Sequence, residues 1–150
     1  YQGTKGVVAA AEVCRPGGTI IIAQENAEGL GGPEYTKLVT QVPDPHEYIR
    51  QALAGGPYCI DTWQFHVVEK VLREHEVISV SSGLSADQKR KCFLPSADSV
   101  EEALEQALER LGPEATVAVM PDGPYVLACR ADDPVARMTV TEMLQHSRGA

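Results

Sequence analysis

Apolar positions along this chain gather into three short continuous runs, and the stretches between them are amphipathic. Thr19-Ile20-Ile21-Ile22-Ala23-Gln24, Glu76-Val77-Ile78-Ser79-Val80-Ser81 and Thr116-Val117-Ala118-Val119-Met120 are rich in β-branched residues, as expected of strands covered on both faces. The intervening segments carry helix punctuation. Gly6 to Cys14 is an apolar helix former closed by Arg15-Pro16-Gly17-Gly18, since proline and glycine break helices. Pro45 after Asp44 suits a first helical position, and that helix should run to about Ala54 and stop at Gly55-Gly56. Asp61 is expected to cap a longer helix reaching about Glu74. Ser85 with Gln88, and Ser99 with Glu102, have capping-box spacing. The second pair opens a helix with an apolar stripe of Val100, Leu104, Ala107, Leu108 and Leu111 and a stop at Gly112.

Strand runs alternating with helices predict a three-layer α/β domain, a mainly parallel sheet flanked by helices. One domain is the natural division of 150 residues. Pro121-Asp122-Gly123 is a turn signal, and Tyr125-Val126-Leu127-Ala128-Cys129 suits the return strand of a hairpin. The tail from Ala131 is polar, with a last short helix expected over Val140 to His146.

Charge narrows the partners. A net charge of −8 argues against sequence-independent binding to nucleic acid or to an anionic lipid surface, both of which need basic faces. No apolar run approaches the roughly 20 residues of a membrane-spanning helix. Cys14, Cys59, Cys92 and Cys129 lack the Cys-x-x-Cys spacing of a zinc or redox site. They are expected to be buried free thiols in a reducing, cytoplasmic setting.

Candidate chemistry gathers at the start of the chain. In Tyr1-Gln2-Gly3-Thr4-Lys5, Gln2 and Lys5 stand at i and i+3 of an incipient helix. An amide, an ammonium and the positive end of the helix dipole can there converge on one carboxylate. The alternative is a pair of solvated side chains. With no initiator Met, the chain reads as starting inside a larger protein. Beyond the first strand, Gly29, Gly31 and Gly32 form either a tight turn or a loop that lets backbone donors approach a ligand. Its spacing is not a dinucleotide fingerprint, and Glu25 and Glu28 would repel phosphate. Trp63, the one tryptophan, suits either a cleft wall or the core. His66 aligns with Glu69, Lys70 and Arg73 on what reads as a solvated face. None of the four histidines has helical metal-site pairing, and no nucleophile-base pair or carboxylate dyad is visible.

Taken together and in order, Tyr1-Gln2-x-x-Lys5-Gly6, Gly18 to Ala23, Glu28-Gly29-Leu30-Gly31-Gly32-Pro33-Glu34, Asp61-x-Trp63-Gln64 and Pro121-Asp122-Gly123 resemble the C-terminal half of the nickel-dependent lactate racemase family. The resemblance implies an isomerase of 2-hydroxy acids that carries a nickel pincer nucleotide on a lysine. Hydride leaves the substrate α-carbon for the cofactor ring and returns to either face, while two histidines move the hydroxyl proton. It also implies that Gln2 and Lys5 bind substrate, with Tyr1 beside them and Trp63 lining the same cleft. The cofactor lysine, the nickel-binding histidine and the acid/base histidines belong to an N-terminal domain that precedes this half. No catalytic residue and no metal ligand is therefore assigned to residues 1–150. A nucleotide-binding α/β module that uses the glycine turn, and a non-catalytic interaction domain, are the alternatives.

Overall fold

The computed structural model describes residues 1–92, 94–126, 128–129, 131–139 and 142. In it, helix α1 (Thr4–Ala11) leads to strand β1 (Thr19–Gln24), followed by α2 (Pro33–Gln41), α3 (Pro45–Leu53) and α4 (Thr62–Leu72). Strand β2 (Glu76–Ser81), α5 (Ala86–Lys91), a two-residue β3 (Ser96–Ala97) and α6 (Val100–Leu111) complete the regular elements. The sheet is parallel in the order β1-β2-β3, with Thr19 opposite Glu76, Gln24 opposite Ser81 and Val80 opposite Ala97. This is the expected α/β fold with a parallel sheet flanked by helices.

Side-chain alternation along the strands divides the core into two faces. Ile20 and Val77 pack with Val7 of α1 and Val71 of α4, whereas Ile78 packs with Ala97 and with Ala103 of α6. A third cluster lies among the helices, built from Leu30, Tyr35, Leu38, Val39, Ile49, Phe65 and Leu84. Phe65 and Ile49 are essentially inaccessible there, and such burial stabilises by roughly 1.5–3 kcal/mol per side chain. Arg110 ties the last turn of α6 to the opposite end of the sheet. It donates to the Gly17 carbonyl, the Thr19 hydroxyl and the Glu76 carboxylate at 3.0, 2.6 and 3.0 Å.

Local capping explains where several helices begin. Asp44 accepts from the backbone N–H groups of His46 and Glu47 at 2.9 and 3.1 Å, and Pro45 follows at the first helical position. Ser85 and Gln88 complete a reciprocal capping box. Ser99 accepts from the Glu102 N–H, but the Glu102 carboxylate turns to the Asp98 N–H instead of closing a box.

Other expectations also need correction. Thr116 to Met120 is not a strand: it pairs with nothing among the described residues, and Val117 and Val119 are 56% and 80% exposed. The turn at Pro121 leads into a short 3-10 segment, Gly123–Tyr125, and the described residues of Tyr125 to Cys129 form no hairpin strand. The buried face of α6 centres on Ala103 and Ala107, leaving Val100 and Leu111, at the two ends of the helix, exposed. Cys14, Cys59 and Cys92 are free but only half-buried, and Cys129 is exposed. Glu69 is fully buried, not solvated, because α3 covers that side of α4. The helix expected over Val140 to His146 lies outside the described residues, Glu142 apart.

Candidate functional site

Three segments distant in sequence meet beyond the carboxyl end of β1: the turn before α1, the glycine turn after β1, and the first turn of α4. The Tyr1 backbone nitrogen donates to the Leu30 carbonyl at 3.1 Å. Its ring stands edge-on to both Tyr35 and Trp63, with centroids at 5.3 and 6.4 Å. Such edge contacts are the favoured aromatic geometry, since the positive ring edge meets a negative face. Trp63 is 52% exposed, so it forms part of an open wall and not of the core.

The glycine turn fits closely around Tyr1. Gly31 has φ +116, and a Cβ built on it would lie 2.7 Å from the Tyr1 Cβ. Only glycine combines that backbone conformation with that approach. On the β2 side Gly83 lies close against the segment that follows β1: its N–H donates to the Glu25 carbonyl at 2.7 Å, and an added Cβ would strike the Glu25 and Asn26 carbonyl oxygens. Behind Tyr1 and Thr4 is a cavity of about 70 Å³, bordered also by Gln24, Leu30, Tyr35 and Cys92. Burial raises the Tyr35 phenol and Cys92 thiol pKa values, so both side chains there stay neutral.

Gln2 and Lys5 occupy the outward side of the α1 entrance and are exposed, whereas Thr4 and Val7 face inward. The fold thus brings Tyr1, Gln2, Lys5, Trp63, Gly29, Gly31 and Gly32 to one end of the molecule. Gly32 is the N-cap residue of α2, and Gly29 lies across from Gln88.

Asp61 does something its sequence position did not suggest. It precedes α4, yet its side chain makes no cap bond to that helix and accepts instead from the Tyr35 N–H of α2 at 3.1 Å. A carboxylate already sits at the α2 N-terminus, with Glu34 in the same first turn. The arrangement is unfavourable for the phosphate that a nucleotide-binding turn would place there.

Two further groups escaped sequence reading. Gln64, buried next to Trp63, donates its side-chain amide to the Tyr1 carbonyl at 3.2 Å and to the Thr4 hydroxyl, which itself donates to the Tyr1 carbonyl at 2.8 Å. Glu69 accepts from His46 and Arg73, each at 2.6 Å, with His66 3.9 Å from its other oxygen. The partners of Gln64, and His46 beside Glu69, lie on other elements, so no short motif announced them; the alignment of Glu69 with His66 and Arg73 was visible in the spacing, but its burial was not. No group of three or more His, Cys, Asp or Glu side chains with metal-binding geometry occurs among the described residues.

Residues 1–128 match the lactate racemase C-terminal domain family. The chain belongs to that family. It is 30% identical over 129 residues to a lactate racemase from Thermoanaerobacterium thermosaccharolyticum and 34% identical over 125 residues to one from Lactiplantibacillus plantarum. These matches cover 85% and 82% of the chain and 30% of each relative. The lactate racemase apoprotein structure from the first organism superimposes with a TM-score of 0.75 at 29% identity, over 85% of this chain and 31% of that one. The chain therefore spans under a third of the length of these lactate racemases, and the site described above lies wholly within the matched C-terminal domain. No helix among the described residues is long and apolar enough to cross a membrane.

Proposed function

We propose that residues 1–150 are the substrate-binding C-terminal domain of a two-domain, cytoplasmic 2-hydroxy acid racemase of lactate type, closing over a cofactor held by an N-terminal domain. The observation that carries this reading is the outward pair Gln2 and Lys5 on a turn fixed beside the Tyr1 and Trp63 wall. The Lys5 ammonium and the Gln2 amide hold the substrate carboxylate, a charge-assisted and a neutral hydrogen bond respectively. Trp63 and Tyr1 cover the α-carbon side and exclude water from it. Gly29, Gly31 and Gly32 shape the neighbouring turn and seat Tyr1.

Proton transfer is left to the other domain. His46 and His66 surround Glu69, and His75 is buried at the start of β2, so none of these imidazoles joins the exposed pair. The nickel pincer nucleotide of the family accepts and returns hydride when bound. In this reading the N-terminal domain holds it. The same logic makes the 150-residue chain inactive alone. The nucleotide-binding alternative is disfavoured by Asp61 and Glu34 at the α2 N-terminus.

The test is kcat/KM for lactate in the two-domain enzyme at full cofactor loading. Lys5→Ala should lose a charge-assisted bond of roughly 1.5–3 kcal/mol, or about 10- to 150-fold, and Gln2→Ala a neutral bond of about 0.5–1.5 kcal/mol. Wild-type values in both variants, or racemisation by the 150-residue chain alone, would remove this reading.

A further inference from the structure

The turn carrying Gln2 and Lys5 is closed by its own backbone bonds, Thr4 N–H to the Tyr1 carbonyl at 3.3 Å and Lys5 N–H to the Gln2 carbonyl at 3.1 Å, which set its shape but not its place in the fold. Gly3 occupies the N-cap position of α1 and supplies no side-chain cap, and both Gln2 and Lys5 point outward. Its fixed points come from elsewhere in the fold. One is the bond from the Tyr1 nitrogen to Leu30. The other is Gln64, whose side-chain amide reaches the Tyr1 carbonyl and the Thr4 hydroxyl, the backbone neighbour of Gln2 and the side-chain neighbour of Lys5. Gln64 is only 5% exposed. A leucine would fill comparable space without requiring buried hydrogen bonds, so what the amide adds is direction. It also follows Trp63 directly in the first turn of α4, and so joins the aromatic wall to the carboxylate-binding turn.

We infer that Gln64, with Thr4, is a positioning residue for substrate binding: the Gln64–Thr4–Tyr1 link sets the place of Gln2 and Lys5 relative to Trp63. The inference rests on the carboxylate role proposed for Gln2 and Lys5. Neither Gln64 nor Thr4 is assigned contact with substrate. Each acts through the backbone of the α1 entrance. A displacement of about 1 Å at a binding group can lower catalysis by as much as 100-fold, which sets the scale of the effect.

A double-mutant cycle in the two-domain enzyme tests this, with KM and kcat for lactate measured separately and cofactor loading matched. Gln64→Leu should lower kcat/KM on the order of 10-fold, mainly through KM. In a Lys5→Ala background the same substitution should cost clearly less than in wild type, because only Gln2 is then left for it to position. Thr4→Val removes the Thr4 hydroxyl bonds with little change of shape but leaves the Gln64 bond to the Tyr1 carbonyl, so it should act in the same direction with a smaller loss. It carries the cycle if Gln64→Leu does not fold. An equal loss with and without Lys5, or no loss in either variant while Lys5→Ala is impaired, overturns the positioning role alone. A Lys5→Ala enzyme with wild-type kinetics overturns the carboxylate reading and this inference with it.

Discussion

Gly31→Ala is the substitution in which backbone and site are most directly opposed. At φ +116 an L-residue is held in a sparsely populated conformation that costs about 1–3 kcal/mol. The new methyl group would also sit 2.7 Å from the Tyr1 Cβ, closer than carbon atoms tolerate, so Tyr1 must move. Moving it disturbs two edge-on ring contacts, to Tyr35 and Trp63, each worth about 0.5–1.5 kcal/mol. The sum is about 2–6 kcal/mol, and at roughly 2–4 °C per kcal/mol for a domain of this size the melting temperature should drop by at least about 4 °C. Gly112→Ala is the matched control. Gly112 has φ +91, but an added Cβ meets nothing within 4 Å, so it reports the backbone cost without the collision. Thermal unfolding by circular dichroism gives the stability term, and emission from Trp63, the one tryptophan, reports the ring displacement. If Gly31→Ala costs no more than Gly112→Ala and leaves Trp63 emission unchanged, the close fit of the glycine turn around Tyr1 is refuted.

Other outcomes follow from the packing and the ion pairs. Phe65→Ala should destabilise by about 3–5 kcal/mol in urea unfolding, since Phe65 is fully buried between α2, α3 and α4; a loss under about 1 kcal/mol would mean that cluster is not the core. Burial alone raises the Glu69 carboxyl pKa, but hydrogen bonds from Arg73 and His46 outweigh it and the net shift is downward. A depressed carboxyl contributes stability that is present above the unfolded value, about 4.3, and is lost as pH falls through the lower folded value. Acid unfolding curves of Glu69→Gln should therefore fall less steeply below that range than wild type, and parallel curves would refute the assignment. Ser85→Ala removes one arm of a complete capping box and should cost about 1 kcal/mol, read as faster amide exchange confined to α5; unchanged exchange there would contradict the cap.

What the sequence disclosed depended on how locally each feature is determined. Asp44, Ser85 and Ser99 announced their helices because a cap bond spans two or three residues and needs nothing else. β1 and β2 were legible as continuous β-branched runs. Thr116 to Met120 has the same signature, yet a strand exists only if a neighbour takes its hydrogen bonds, and nothing in those five residues says whether one does. β3, two residues long, has no periodicity to detect. On α4 the spacing of His66, Glu69, Lys70 and Arg73 was correct for one helical face, but whether that face meets water depended on where α3 packed. Tyr1, Gln2, Lys5 and Trp63 were visible as candidates from side-chain chemistry and family resemblance. The link through Gln64 was not, because its partners lie 60 and 63 positions away.

The parallel pairing of β1 with β2 also governs how the molecule can come together. Thr19 and Glu76 are joined across 57 positions, with three helices between them, so the first sheet contact closes a long loop before it gains any neighbours. Closure entropy grows only slowly with loop length, but contacts of this separation make folding slow compared with the local α3–α4 pair. Tyr1 and Gln64 are farther apart still, and their bond requires both α1 and α4 to be docked on the sheet. An early folding species with formed helices and an open sheet would therefore hold most of the secondary structure and none of the site.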